Sequence, residues 1–279
     1  MTTHRELTIP SLRTFRLPNG LSVFGLSKDD TIMIYKDIFE DNCYRQHGVT
    51  IQSGDCILDV GANTGLFLLF LNQICEKAQV FAFEPLPAIF EVLKRNAENH
   101  NKLDLQLFNV GLSDRAGKAT FTYYPRMSNA STMYPDDSDE AIVRGQNYIL
   151  ERFRTLPYPL PFLLSLLPGR GRRASERVRR FYLKKQEVTC ELRTLSDVLR
   201  ERNIARVDLL KIDAEQSEEQ ILAGLAEEDW PKIRQVIVEV HHVAATQAIF
   251  EQLCRRGFRT AVDPNPSFPT LSLVFGVRP

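Results

Sequence analysis

CILDVGANTGLF (residues 56–67) decides how the rest of the chain is read. A mostly apolar run carries one acid, Asp59, close to its end. A Gly-Ala-Asn-Thr-Gly turn follows, and apolar residues resume at Leu66 and Phe67. CILDV (56–60) is the pattern of a buried strand, and Gly65 to Cys75 that of the helix it feeds. Working outward, QVFAFE (79–84) is a second strand, PAIFEVLKRNAENH (87–100) a helix with apolar residues at helical spacing, and DLQLFNV (104–110) a third strand. KATFTYY (118–124) is read as an extra hairpin strand.

The rhythm breaks over 125–186 and then resumes. EVTCELR (187–193), VDLLKID (207–213), QVIVEVHH (235–242) and LSLVFGV (271–277) are strands, with helices from Leu195, near Glu218–Leu225 and from Ala244 to Arg256. Strands alternating with helices predict an α/β fold with a mostly parallel sheet covered on both faces. Such sheets bind ligands at the carboxyl ends of their strands, so acids and histidines at strand ends are the candidates for function. The division expected is an N-terminal extension and helical cover (1–55), a core in two pieces (56–124 and 187–279) and a lid or substrate insertion (125–186).

Composition narrows the class. Among 279 residues, Lys plus Arg equals Asp plus Glu at 35 each, which argues against a generic nucleic-acid binder. Five scattered cysteines, without a C-x-x-C pair or zinc spacing, point to reduced, mostly buried thiols and a cytoplasmic location. No segment is apolar over a length that spans a bilayer, so no membrane partner is expected.

At the turn, the positions after Gly61 read Ala62, Asn63, Thr64, Gly65, so the middle glycine that admits a pyrophosphate is missing. Asp59 is placed to order the loop or to meet an ammonium group. Glu84, ending the next strand, is placed to accept both hydroxyls of a ribose. A ribose, an ammonium and no pyrophosphate together describe S-adenosylmethionine; a glycine turn that only joins strand to helix is the plainer alternative.

DVGANTGLF, FAFEPLPAIFEVLKRNAENH, NVGLSDRAG, VDLLKIDAEQSEEQILAG and VIVEVHH together resemble the FkbM-type S-adenosylmethionine-dependent methyltransferases, in particular the O-methyltransferases associated with polyketide and nonribosomal peptide synthases. The resemblance runs from about Tyr35 to the C-terminus. It implies a class I methyltransferase (Rossmann-like) fold, seven strands with one antiparallel near the end. It also implies that Asp59, Gly61, Ala62, Asn63 and Gly65 line the methionine side, that Glu84 beside Pro85 holds the ribose, that Gly111, Leu112 and Ser113 lie near the adenine, and that Asp213 adjoins the cofactor. Two positions depart from the family pattern: Gln216 stands where K-I-D-x-E-G has glycine, and His241-His242 where some relatives have His-Asp.

Methyl transfer to a hydroxyl needs alignment of donor and acceptor and removal of one proton. His241 is the candidate general base, with Glu215 or Asp213 orienting it or binding the acceptor. Glu239 and His241 share one strand face and His242 takes the other. Asp213, Glu215 and Glu239 also offer oxygen ligands to a hard cation, but no metal motif is present and metal-free catalysis is expected. Between Gly169 and Lys185, Arg170, Arg172, Arg173, Arg177, Arg179, Arg180, Lys184 and Lys185 face only Glu176. That run is either a solvated helix face or, by the family resemblance, a dock for an acidic acyl carrier protein bearing a tethered substrate. NASTMY (129–134) is a weaker candidate for lining the acceptor site.

Overall fold

The computed structural model describes residues 12–125, 128, 131–134, 184–265 and 270–278. Most of the insertion read as a lid (125–186), with the basic residues from Arg170 to Arg180, lies outside these residues.

The chain opens on a hairpin of β1 (Arg13–Arg16) and β2 (Ser22–Gly25), then α1 (Lys28–Tyr35) and a π-helical turn, Lys36–Glu40. The N-terminal extension thus contributes a strand hairpin as well as helical segments. Then come β3 (Cys56–Val60), α2 (Leu66–Ile74), β4 (Gln79–Phe83), α3 (Pro87–His100), β5 (Asp104–Phe108), β6 (Gly111–Leu112) and β7 (Gly117–Tyr123). After the insertion follow β8 (Gln186–Arg193), α4 (Leu195–Glu201), β9 (Leu209–Ile212), α5 (Glu218–Ala223), β10 (Gln235–Val240), α6 (Val243–Arg255), β11 (Arg259–Pro264) and β12 (Ser272–Val277).

Local chemistry sets the helix starts. Gly65 opens α2 with φ 86, a left-handed conformation that glycine adopts freely. Pro87 opens α3, where its missing N–H has no helical partner to lose. Thr194 caps α4 by accepting from Asp197 N–H at 3.0 Å.

Seven strands form the main sheet in the order β11-β12-β10-β9-β3-β4-β5. β12 runs antiparallel to both neighbours and the other strand pairs are parallel. This is the class I methyltransferase sheet with its single reversed strand. The seventh strand is β11, and EVTCELR (β8) lies elsewhere: it pairs with β6 and β7 in a three-stranded sheet that packs on Leu86, Ala88 and Ile89.

Two cores cover the main sheet. Ile57, Leu209 and Ile237 point to the face occupied by α2 and the N-terminal segment; Leu58, Val60, Leu210, Ile212, Val236, Val238 and Val240 point to the opposite one with α4, α5 and α6. Among the described residues no helix is long and apolar enough to cross a membrane. All five cysteines are unpaired; Cys75 and Cys190 are buried, whereas Cys254 is exposed, contrary to the expectation of mostly buried thiols.

Candidate active site

Side chains two apart on a strand share a face. Asp59 therefore follows Ile57, Lys211 and Asp213 follow Leu209, and Glu239 and His241 follow Ile237, all toward α2 and the N-terminal segment. Asp59 and Lys211 are register partners on adjacent strands. Both are buried, and Lys211 Nζ donates to Asp59 Oδ1 at 3.0 Å and lies 3.6 Å from Asp213 Oδ2. Burial works against both charges, but Asp59 and Asp213 outweigh it at the lysine and hold its ammonium charged. The ammonium also sits over the rings of Tyr44 and Phe67, at 5.3 and 5.7 Å, and Tyr44 donates to Asp213 Oδ2 at 3.4 Å. The ammonium that Asp59 meets is thus one the protein supplies itself, while its Oδ2 has no partner among the described residues.

The glycine turn lies against the end of β9. A Cβ on Gly61, which has φ 77, would come within 1.8 Å of the Asp213 carbonyl oxygen. Gly61 and Ala62 donate their N–H groups to the Phe83 carbonyl, and Asn63 N–H donates to Glu84 Oε2 at 3.2 Å. Leu86 N–H donates to the other oxygen, Oε1, at 2.9 Å, so the Glu84 carboxylate is fixed in orientation. Burial pushes Glu84 up to about 7, against the pull of those two amides. Pro85 packs near Gly111, and Asn109 Nδ2 donates to the carbonyls of Glu84 and Pro85. Gly111 and Leu112 form β6; Ser113 is buried, with its hydroxyl on Asp114 and its N–H on the Arg193 carbonyl. The structure brings Asp59, Gly61, Asn63, Glu84 and Asp213 together at the carboxyl ends of β3, β4 and β9, with Ser113 reached only through this second sheet.

His241 is clamped. Its Nδ1 is 2.8 Å from Glu218 Oε1 and its Nε2 3.2 Å from Glu215 Oε2. Burial disfavours an imidazolium, but Glu215 and Glu218 outweigh burial and hold His241 well above the ordinary histidine range. Burial and then Asp213 raise Glu239 above the ordinary carboxylate range. Asp213, Glu239 and His241 each place one potential metal-ligand atom within 4.8 Å of the others.

Glu215 and Gln216 both have positive φ, 43 and 76. A left-handed non-glycine residue costs about 1–2 kcal/mol. At Gln216 the side-chain amide reaches His242 Nε2 at 3.3 Å, a half-exposed contact that offsets little of this. Gln216→Gly is expected to raise stability by about 1 kcal/mol in chemical denaturation. No gain would show that the loop carries no strain there.

Three residues escaped the reading of the sequence. Lys211 had a signal: a lone cation within the buried strand LLKI. Glu218, rather than Glu215 or Asp213, takes Nδ1 of His241; it opens α5 one helical turn past Asp213–Glu215, a spacing compatible with a shared site. Tyr44 comes from an irregular stretch 169 residues from Asp213 and had none.

Sheet order and strand-end acids define the class as a methyltransferase of the class I type. Residues 59–260 match the family model described as the Methyltransferase FkbM domain, and the chain belongs to that family. It is 36% identical over 265 residues to the 31-O-demethyl-FK506 methyltransferase FkbM of Streptomyces tacrolimicus, covering 92% of this chain and 93% of that one. It is 32% identical to methyltransferase sdnD of Sordaria araneosa, over 85% of this chain and 86% of that protein. A third match, at 32% identity, takes in 88% of this chain but 11% of the AMB antimetabolite synthetase AmbE of Pseudomonas aeruginosa.

Proposed function

We propose that the protein is an S-adenosylmethionine-dependent O-methyltransferase that methylates a hydroxyl of a polyketide or nonribosomal peptide intermediate, delivered on an acyl carrier protein. The observation that carries the O-methylation is the Glu218–His241 pair at 2.8 Å, which orients an imidazole at the carboxyl end of β10.

The residues present fit the cofactor. Glu84 is held by two backbone amides with lone pairs left for the two ribose hydroxyls, and its charge strengthens those bonds. The turn without a middle glycine suits a ligand lacking a pyrophosphate. Bound there, S-adenosylmethionine supplies a methyl group on a sulfonium, whose neutral thioether is a good leaving group. Glu218 accepts the Nδ1–H of His241 and sets the tautomer, so Nε2, 3.2 Å from Glu215 Oε2, is the nitrogen left to take a proton. With Nε2 deprotonated, the acceptor hydroxyl gives its proton to that nitrogen as the oxygen–carbon bond forms. Asp213 and Lys211 fix the floor between turn and base. No metal is needed: Nε2 faces Glu215 and Asp213 faces Lys211. Chelation should leave turnover unchanged, whereas loss restored by magnesium or manganese would give Asp213, Glu239 and His241 to a cation instead.

O-methylation is supported by the match to a 31-O-demethyl-FK506 methyltransferase, and the carrier by the match to part of a synthetase. The lid (125–186) and its basic run would receive it. Electrostatic steering is screened over about 8 Å at physiological salt, so rising salt should weaken methylation of a carrier-tethered substrate while sparing a free analogue. Reversal of Arg172, Arg177 and Arg180 to Glu should do the same, read by intact mass; equal rates on both substrates would remove the carrier from the account.

A further inference from the structure

Thr132 lies where the insertion leaves β7, buried at 6% exposure. Its backbone forms a two-way bridge with Thr122, at 2.8 and 3.1 Å. Its hydroxyl donates to the carbonyl of Glu215 at 2.5 Å and accepts from Tyr134 N–H at 3.0 Å. That carbonyl belongs to the first of the two left-handed residues, and the same residue's carboxylate reaches Nε2 of His241. β7 in turn packs, through Phe121 and Tyr123, on the Leu86 loop just after Glu84. One hydroxyl thus links the sheet behind the Glu84 loop to the loop beside the reacting centre.

We infer that Thr132 is a positioning residue for methyl transfer, whose hydroxyl holds the Glu215 backbone in its left-handed turn and so keeps the Glu215 carboxylate on Nε2 of His241. The inference rests on the reading of His241 as the base. Left-handed backbone at a non-glycine residue persists only where its surroundings hold it, and among the described residues the Thr132 hydroxyl is the side-chain donor on that carbonyl. The groups that set the charge of His241 are Glu215 on Nε2, Glu218 on Nδ1, Glu239 and Asp213 beside it, with Lys211 behind Asp213 and His242 adjacent in sequence. Of these, only Glu215 is carried by the Thr132 bond.

The test is a paired measurement on the full chain: His241 titration by NMR and the pH profile of kcat. Thr132→Val keeps the shape and removes the hydroxyl. It should lower kcat by about ten- to a hundredfold, the size of a small misplacement at a reacting centre. It should also move the His241 titration down toward the ordinary histidine range, with the affinity for S-adenosylmethionine kept. Thr132→Ser should restore both. Glu215→Gln should reproduce the shift with Thr132 intact, and the double variant should add nothing to it; this arm stands if Thr132→Val does not fold. An unmoved His241 titration in Thr132→Val, or a Thr132→Ser that behaves like the valine variant, overturns the inference. A His241→Ala enzyme with full turnover would instead sink the base, and the NMR titration separates the two failures.

Discussion

His241→Ala is expected to lower turnover by about a hundred- to ten-thousand-fold, the usual cost of losing a general base, and to leave cofactor affinity nearly unchanged. The split follows from position: Nε2 of His241 faces Glu215, with Asp213 and Glu239 close to the ring, whereas Glu84 and the glycine turn, the proposed cofactor residues, are held together by the Asn63 amide. The proposed base would work only as neutral imidazole. Glu215 and Glu218 hold the imidazolium, so the base form grows as pH rises through a histidine value lifted above the ordinary one. kcat/KM should therefore climb with pH above neutrality, and Glu215→Gln should move the climb to lower pH by removing one of the two attractions. A profile that is flat from pH 6 to 9, or an alanine variant with unchanged kcat, would transfer the proton to another group.

Lys211→Met is expected to cost about 3–5 kcal/mol, because breaking a buried ion pair from one side strands the other charge. Asp59 is fully buried, one of its oxygens has no partner among the described residues, and methionine offers no donor. Lowering the pH should shrink the loss, since protonation of Asp59 removes the stranded charge. Adding Asp59→Asn should recover most of it, as two neutral side chains leave no charge to desolvate. Denaturant titrations of the two single variants and the double would show this as strong coupling. Additive losses below about 1 kcal/mol would mean that the pair contributes little.

The central strands were legible because they are nearly continuous apolar runs ending in acids. CILDV and QVFAF carry both signals, and the same alternation that buries Ile57 and Ile237 also predicted that Glu239 and His241 share a face. β11 was missed for a physical reason. RTAVDP is half-buried at the sheet edge, mixes polar and small residues, and ends in proline, so it has neither an apolar run nor a clean alternation. β8 announced its difference: Val188, Cys190 and Leu192 alternate with exposed residues, the mark of a strand covered on one side, yet it was counted with the parallel rhythm. Glu84 was singled out because it ends a strand. Glu218 was passed over because it opens a helix, and what makes it a partner of His241 is a meeting of β10 with α5 that no local pattern encodes. Tyr44 reaches the site from an irregular stretch, where hydrogen bonds rather than periodicity hold the chain, whereas Thr132 lies in the NASTMY stretch that the sequence offered as a weaker candidate.

The most direct test of the account is a calorimetric titration of the purified chain with S-adenosylmethionine and with its demethylated product, set beside NAD. The account predicts saturable binding of both sulfur compounds, no heat from NAD, and a loss in Glu84→Ala of about 1.5–3 kcal/mol for each charge-assisted ribose hydrogen bond removed. Binding of NAD with silence toward both sulfur compounds, or full affinity in Glu84→Ala, would contradict it.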